Sequence, residues 1–385
     1  MSVDRDTLLI LAGGGRALAE SACRGGYRVR VYDGFCDRDT SAVARCRRVH
    51  PGFPQLDANA FIQEIASLPG SLHGVVYGGG LEEAAPLLRR LSARWRVFGN
   101  APSVLELLQN PRRFFPLLDS LGIPYPEVRF TPPYAVAGKS WLIKRAGRCG
   151  GLGTAYFDPG FFVADSASYY QRYIEGTVMS VLFIADGERH RTLGYNRLGM
   201  KSSNPPAPFL YTGAVGQVPL SDAQRRPLEG MVARLVSRLG LRGVNGLDFI
   251  LNEDGILVLD LNPRPTATLE LYEHLLRDGW IKHHIRACLG ELPPVPRDAS
   301  AEIRGHQIVY APRSLEIPVA MKWPQWAKDR PEAGAGIVAG QPLCSLFAQG
   351  GDTREVEALL RQYQGEILQL LGAFTHPAAP RKVAV

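Results

Sequence analysis

The 385-residue sequence contains no apolar run of eighteen residues or more, the length a helix needs to cross a bilayer, so no membrane span is expected. No charged stretch leads into an apolar one at its start, so export is not expected either, and the expected location is the cytoplasm. The six cysteines, Cys23, Cys36, Cys46, Cys149, Cys288 and Cys344, include no CxxC pair. Their scatter fits reduced thiols better than a disulfide frame or a zinc site. No basic tract is interleaved with aromatics, which removes the case for nucleic-acid binding. Basic residues outnumber acidic ones by seven. Because the arginines are spread along the whole chain, that excess reads as ordinary surface charge, though a positive field favours anionic ligands such as nucleotides.

What is present centres on one segment, Val244 to Arg264. Apolar runs flank Asn252-Glu-Asp-Gly255 and read as antiparallel strands joined by a tight turn, a pairing that brings Asp248 and Asp260 side by side. Asp260 and Asn262, two residues apart, share a strand face. Asp248, Asp260 and the amide oxygen of Asn262 make a hard oxygen set that suits Mg²⁺, whose other positions go to water and phosphate oxygens. Each aspartate interrupts an apolar strand, where an unpaired charge is costly. Arg264, just beyond, suits a transferring phosphoryl group or a substrate carboxylate.

The length suits two or three domains, divided here into residues 1–100, 101–290 and 291–385. Thr7 to Ala12, Gly13-Gly-Gly15, a helical pattern through Cys23 and Tyr27 to Asp33 form a βαβ opening, which implies a parallel, doubly wound sheet. A second glycine cluster, Gly78-Gly-Gly80, follows an apolar strand and precedes Glu82. The third glycine of a dinucleotide fingerprint is Leu18 here, which argues against NAD. Trp141-Leu-Ile-Lys144 runs into a loop containing Gly147, Gly150, Gly151 and Gly153, whose amides are suited to wrapping phosphate oxygens while Lys144 reaches them as a point charge. A long helical stretch is expected from Leu269 to Leu289, then a proline-rich linker and a small β-rich region closed by a helix from Thr353. His283 and His284 face different sides of a helix and read as a solvated surface pair.

In order, Gly99-Asn100, Gly122-Ile-Pro-Tyr-Pro126, Lys144 with its glycine loop, Gln171-x-Tyr-Ile-Glu-Gly176, Asp248, Asp260 and Asn262-Pro-Arg264 resemble the ATP-grasp superfamily. The resemblance implies a Rossmann-like N-terminal domain, a central ATP-grasp domain of two α+β subdomains holding ATP, and a small β-rich C-terminal region. It implies a carboxylate phosphorylated by ATP, giving ADP, and an amine or other nucleophile that displaces phosphate from the acylphosphate. In those terms Lys144, Gly147, Gly150, Gly151 and Gly153 meet phosphates, and Gln171, Arg172, Tyr173 and Ile174 meet adenine. Asp248, Asp260 and Asn262 hold Mg²⁺, with Mn²⁺ as a substitute. Many members carry a lysine about eleven residues before the Gly-Ile-Pro; Pro111 stands there, so Arg112 or Arg113 is expected to replace it. The glutamate that often binds ribose is missing at Thr177-Val178.

The stretches Ala17 to Asp39 and Glu175 to Gly213 look like a narrower group that includes the tyramine–glutamate ligase of methanofuran synthesis. Substrate residues expected on this basis are Glu82 for an ammonium, Arg197, Lys201 and Arg264 for carboxylates, and Tyr211 for ring stacking. Lys144 and Arg264 are the expected catalytic cations. The expected partners are a small carboxylate and an amine, glutamate with tyramine or tyrosine in one-carbon carrier synthesis, and a second copy of the chain. An ATP-dependent carboxylase using bicarbonate and a nucleotide-binding regulator without catalysis are the alternatives.

Overall fold

A computed structural model describes residues 7–49, 57–68, 70–133, 140–160, 167–199, 207–294 and 302–373. The N-terminal strands Thr7–Ala12, Arg28–Asp33, Arg45–Arg48, Leu72–Tyr77 and Val97–Phe98 form one parallel sheet with Thr7–Ala12 at its centre, flanked by Arg28–Asp33 and Leu72–Tyr77. Every residue of that central strand is buried, as a parallel strand covered on both faces requires. The two glycine clusters end neighbouring strands at the same edge, where Gly13 N donates to Gly79 O at 2.6 Å.

A larger antiparallel sheet follows. Its strand order is Gly255–Asn262, Arg242–Asn252, Thr177–Asp186, His190–Leu198, Gly213–Val215, Ile303–Tyr310, Pro342–Gly350 and Ala327–Lys328. Three strands of residues 291–385, read from sequence as a separate small region, thus continue the central sheet, while Leu315–Glu316 and Gly336–Ile337 pair with each other. Helix Asp222–Leu239 packs its apolar face (Leu228, Val232, Leu235) against the core beneath this sheet. It starts at a capping box made by Ser221 and Gln224 and stops at Gly240 in the left-handed conformation, the two local signals that bound a helix. A third sheet has the order Val128–Arg129, Ser168–Arg172, Trp141–Arg145, Thr154–Tyr156.

Three expectations are corrected. The stretch Leu269 to Leu289 is not one helix: a 3₁₀ helix Ala267–Leu275 gives way to extended Leu276, and helix Trp280–Cys288 begins after Gly279 at φ +73°. A side chain at Gly279 would lie 2.2 Å from Ser21 O, so the break lets this segment approach the first helix, Arg16–Arg24. His283 and His284 are both buried rather than solvated. His284 Nδ1 accepts from Val244 N at 2.9 Å, so its Nε2 carries the hydrogen and donates to Phe98 O at 3.2 Å. Cys36 and Cys46 form a disulfide rather than remaining thiols, because the six-residue helix Arg38–Val43 folds the chain back and leaves the two Cα atoms 5.7 Å apart.

Arg16 ties the beginning of the chain to its end. The guanidinium is 3% exposed and meets Glu270 at 2.6 Å, Asp329 at 2.6 Å and Glu20 at 3.1 Å. Lys328 adds a bond to Glu270 at 2.8 Å. So many partners offset the desolvation cost that a lone buried arginine would carry. Among the described residues no helix is long and apolar enough to cross a membrane.

Candidate active site

Asp248 sits directly opposite Asp260 in the hairpin, and the register then shifts so that Phe249 pairs with Val258 and Leu259 is passed over. The bulge leaves both carboxylates and Asn262 on the face that lines a cavity of 640 Å³. Asn262 Nδ2 donates to Asp248 Oδ2 at 3.0 Å, and Asn262 Oδ1 accepts from Arg264 at 3.1 Å. Burial, and then the facing Asp260, push Asp248 up to about 7. Burial also raises Asp260, with Lys144 pulling the other way; its carboxylate opens onto the cavity while protein surrounds it on the other sides. Two carboxylates held face to face against their own repulsion, beside an amide oxygen, fit a divalent cation whose remaining ligands are water and phosphate oxygens.

Lys144 and Gln171 look across the cavity from the third sheet. Lys144 Nζ donates to Gln171 Oε1 at 3.2 Å. Burial works against its charge, but Tyr169 and Asp260 together raise its pKa. Gln171 is 1% exposed, and its Nε2 has no hydrogen-bond partner, an orphaned donor that a ligand's acceptor atom would satisfy. The amides of Arg172 and Tyr173 already donate to Glu127 O at 2.8 Å and Ser140 O at 2.9 Å. Arg172 and Ile174 both line the cavity, and the Arg172 guanidinium lies over the Trp141 ring, 5.9 Å from its centroid.

The glycine loop closes one side. All four of Gly147, Gly150, Gly151 and Gly153 have positive φ. At Gly151 no other residue fits, because an added Cβ would lie 1.7 Å from Phe209 O. Gly150 O accepts from Tyr211 N at 2.8 Å. The Tyr211 hydroxyl in turn meets Nε2 of the buried His306 at 2.5 Å. The loop therefore rests on the segment 207–212 instead of standing clear of it.

At the far end Arg264 Nε and a terminal nitrogen reach Glu82 Oε1 at 2.9 and 2.6 Å. A planar guanidinium facing a carboxylate is the geometry that recognises substrate carboxylates. Cys149 projects to the same place, and burial followed by Glu82 pushes its thiol up to about 11. Sequence reasoning passed over Cys149 and His306; the position of Cys149 within the glycine loop was the one available signal, and nothing local marked His306.

Not every expected residue is here. Arg112 and Arg113 are exposed, and Arg112 covers the Phe130 ring at 4.2 Å, while Pro111 itself lines the cavity. A helix that starts at Pro111 turns the next two side chains outward. Arg197 leaves the cavity to pair with Glu357 of the C-terminal helix. Lys201 lies outside the described residues.

Residues 109–268 match the ATP-grasp domain family. The chain is 25% identical over 204 residues to the arginine-specific large chain of carbamoyl phosphate synthase from Bacillus subtilis, an alignment covering 47% of this chain and 19% of that one. It is 28% identical over 138 residues to tyramine–L-glutamate ligase from Methanocaldococcus jannaschii, covering 36% of this chain and 39% of that one. The matched region thus spans well under half the length of either curated relative. The fold superposes on N5-carboxyaminoimidazole ribonucleotide synthetase from Thermus thermophilus with a TM-score of 0.68 at 17% identity, covering 97% of this chain and 100% of that one. The segment 109–268 thus matches an ATP-grasp domain, and the chain shares the α/β fold of that synthetase.

Proposed function

We propose that the chain is an ATP-dependent, ADP-forming carboxylate–amine ligase. One arrangement supports this above all: Asp248 and Asp260 face Lys144 and Gln171 across a 640 Å³ cavity that also contains Arg264 and Glu82. In this reading the triphosphate lies between Lys144 and the glycine loop, and the adenine lies beside Gln171, Tyr173 and Ile174. Asp248, Asp260 and Asn262 hold Mg²⁺, which offsets charge on phosphoryl oxygens. Residues 1–100 supply the acceptor wall through Glu82, residues 101–290 the nucleotide site, and residues 291–385 support Tyr211 through His306.

The chemistry follows from position and charge. A carboxylate oxygen of the acceptor attacks the γ-phosphorus as the bond to ADP breaks. The amine nitrogen then attacks the acyl carbon, a C–N bond forms, phosphate leaves, and the amine's proton goes to solvent. Holding acceptor and γ-phosphate in line contributes up to about 7–11 kcal/mol, and Lys144 and Arg264 stabilise the charge that develops. The acceptor's carboxylate would displace Glu82 from Arg264, freeing Glu82 for an ammonium, with Tyr211 forming part of the wall. Glutamate joined to tyramine or tyrosine is the first pair to test, on the likeness to the tyramine–glutamate ligase.

ADP release decides it. Amine-dependent ADP and phosphate release with an amino acid is expected, and omission of either substrate stops it. ADP release that instead requires bicarbonate makes the protein a carboxylase, and nucleotide binding without ADP under any combination makes it a regulator.

A further inference from the structure

A second cavity, sharing no lining residue with the first, lies where the N-terminal sheet meets the C-terminal region. It measures 460 Å³ and is lined by Arg38, Ala42, Met321, Lys322, Trp323 and Arg330. Three cations and no carboxylate line it. Among the described residues neither Arg38 nor Lys322 has an ion-pair partner, and both are exposed at the rim. Arg330 is half neutralised: its Nε lies 3.5 Å from Asp39 Oδ2 but makes no hydrogen bond. The apolar surface comes from Met321, which is buried, and the half-buried Trp323.

The walls are fixed in place. Arg38 N donates to Arg330 O at 2.8 Å, and Arg330 N donates to Asp39 Oδ1 at 3.1 Å, so one backbone bond and one side-chain bond join the two rims. The Cys36–Cys46 disulfide closes the loop that carries Arg38 and Ala42, restricting what that wall does when empty. Walls whose backbone is already tied leave only the cationic side chains to be ordered on binding.

We propose that this pocket binds a small phosphate monoester bearing a flat apolar group. Two unpaired cations plus a partly offset third match a dianion, for which paired guanidinium and ammonium donors are well suited. Trp323 and Met321 supply a surface for a ring, and an indole also tolerates the neighbouring cations. The proposal does not depend on the reaction assigned to the first cavity.

Phenyl phosphate, inorganic phosphate and phenol are the probes, titrated by calorimetry into the full chain at low and at moderate salt. Phenyl phosphate is expected to bind saturably and more tightly than either inorganic phosphate or phenol, and to weaken as salt rises. The double variant Arg38→Gln, Lys322→Gln is expected to lose roughly tenfold or more in affinity for phenyl phosphate. Its unchanged melting temperature would show that the fold is intact. Trp323→Leu is expected to remove the advantage of phenyl phosphate over inorganic phosphate while leaving the latter's binding unchanged. Because none of these residues lines the first cavity, phosphate bound there would be indifferent to all three substitutions. Equal affinity in the double variant and the unmodified chain, phenol binding as well as phenyl phosphate, or no saturable binding would each overturn the proposal.

Discussion

Replacing His284 by asparagine is expected to flatten the acid side of the stability curve. The imidazole is 1% exposed, and burial lowers its pKa from 6.5 to about 4. Its Nδ1 accepts the Val244 amide, so a proton arriving there must also break that bond. The folded pKa lies below the unfolded one, so between the two values the unfolded chain binds more protons and stability falls with falling pH. The contribution is therefore complete above about pH 6.5 and is lost progressively down to about pH 4. At 1.36 kcal/mol per unit, that interval corresponds to about 3 kcal/mol. Asparagine keeps an oxygen for Val244 but cannot take up a proton. Urea unfolding at about pH 7.5 and about pH 4.5 measures the loss for each protein. The variant starts less stable, because it packs less well against Gly243, but it should lose about 2.5 kcal/mol less between the two conditions, since a pH of about 4.5 stops short of the folded pKa. Equal losses in the two proteins would mean that folding leaves the pKa of the imidazole unshifted, and the buried, neutral His284 bonded to Val244 would fall with it.

Asp260→Asn or Asp248→Asn should abolish ADP formation without lowering the melting temperature, since each relieves the repulsion between the facing carboxylates; normal turnover in either folded variant removes the pair from the reaction. Gly151→Ala places a side chain on Phe209 O in a left-handed backbone, a strain of about 1–3 kcal/mol, and should raise the KM for ATP. Faster hydrogen exchange across residues 147–153 in that variant would show the loop lifted off its seat, and unchanged exchange would show that the loop does not need this seat. Alanine at Arg112 and Arg113 should leave KM for ATP and kcat unchanged because both side chains face solvent, and a substantial rise in KM would mean that the helix starting at Pro111 turns inward with nucleotide.

The parts written in short stretches of sequence were the legible ones. The βαβ opening, the hairpin that sets Asp248 against Asp260, and the positive-φ glycine loop each depend on residues close along the chain, where strand periodicity and turn chemistry act. The helix through Leu269 to Leu289 was misread because the apolar pattern continues across Gly279, and only the approach of Ser21 shows why the chain must break there. Burial of His284 needed Phe98 and Val244 from elsewhere in the chain. Arg112 and Arg113 occupied the expected position in sequence, but the direction of a helical side chain depends on how the helix packs. Glu82 and Arg264 stand 182 residues apart, and Arg16 and Asp329 stand 313 apart. Local propensity holds no information at that range; burial and charge pairing in the assembled molecule select such partners. Sequence alone determined the parallel N-terminal sheet, the hairpin that sets Asp248 beside Asp260 and the oxygen chemistry of its side chains. Only the tertiary structure decided which distant charges close the cavity, because the low dielectric that makes those pairings obligatory exists only after the chain has folded.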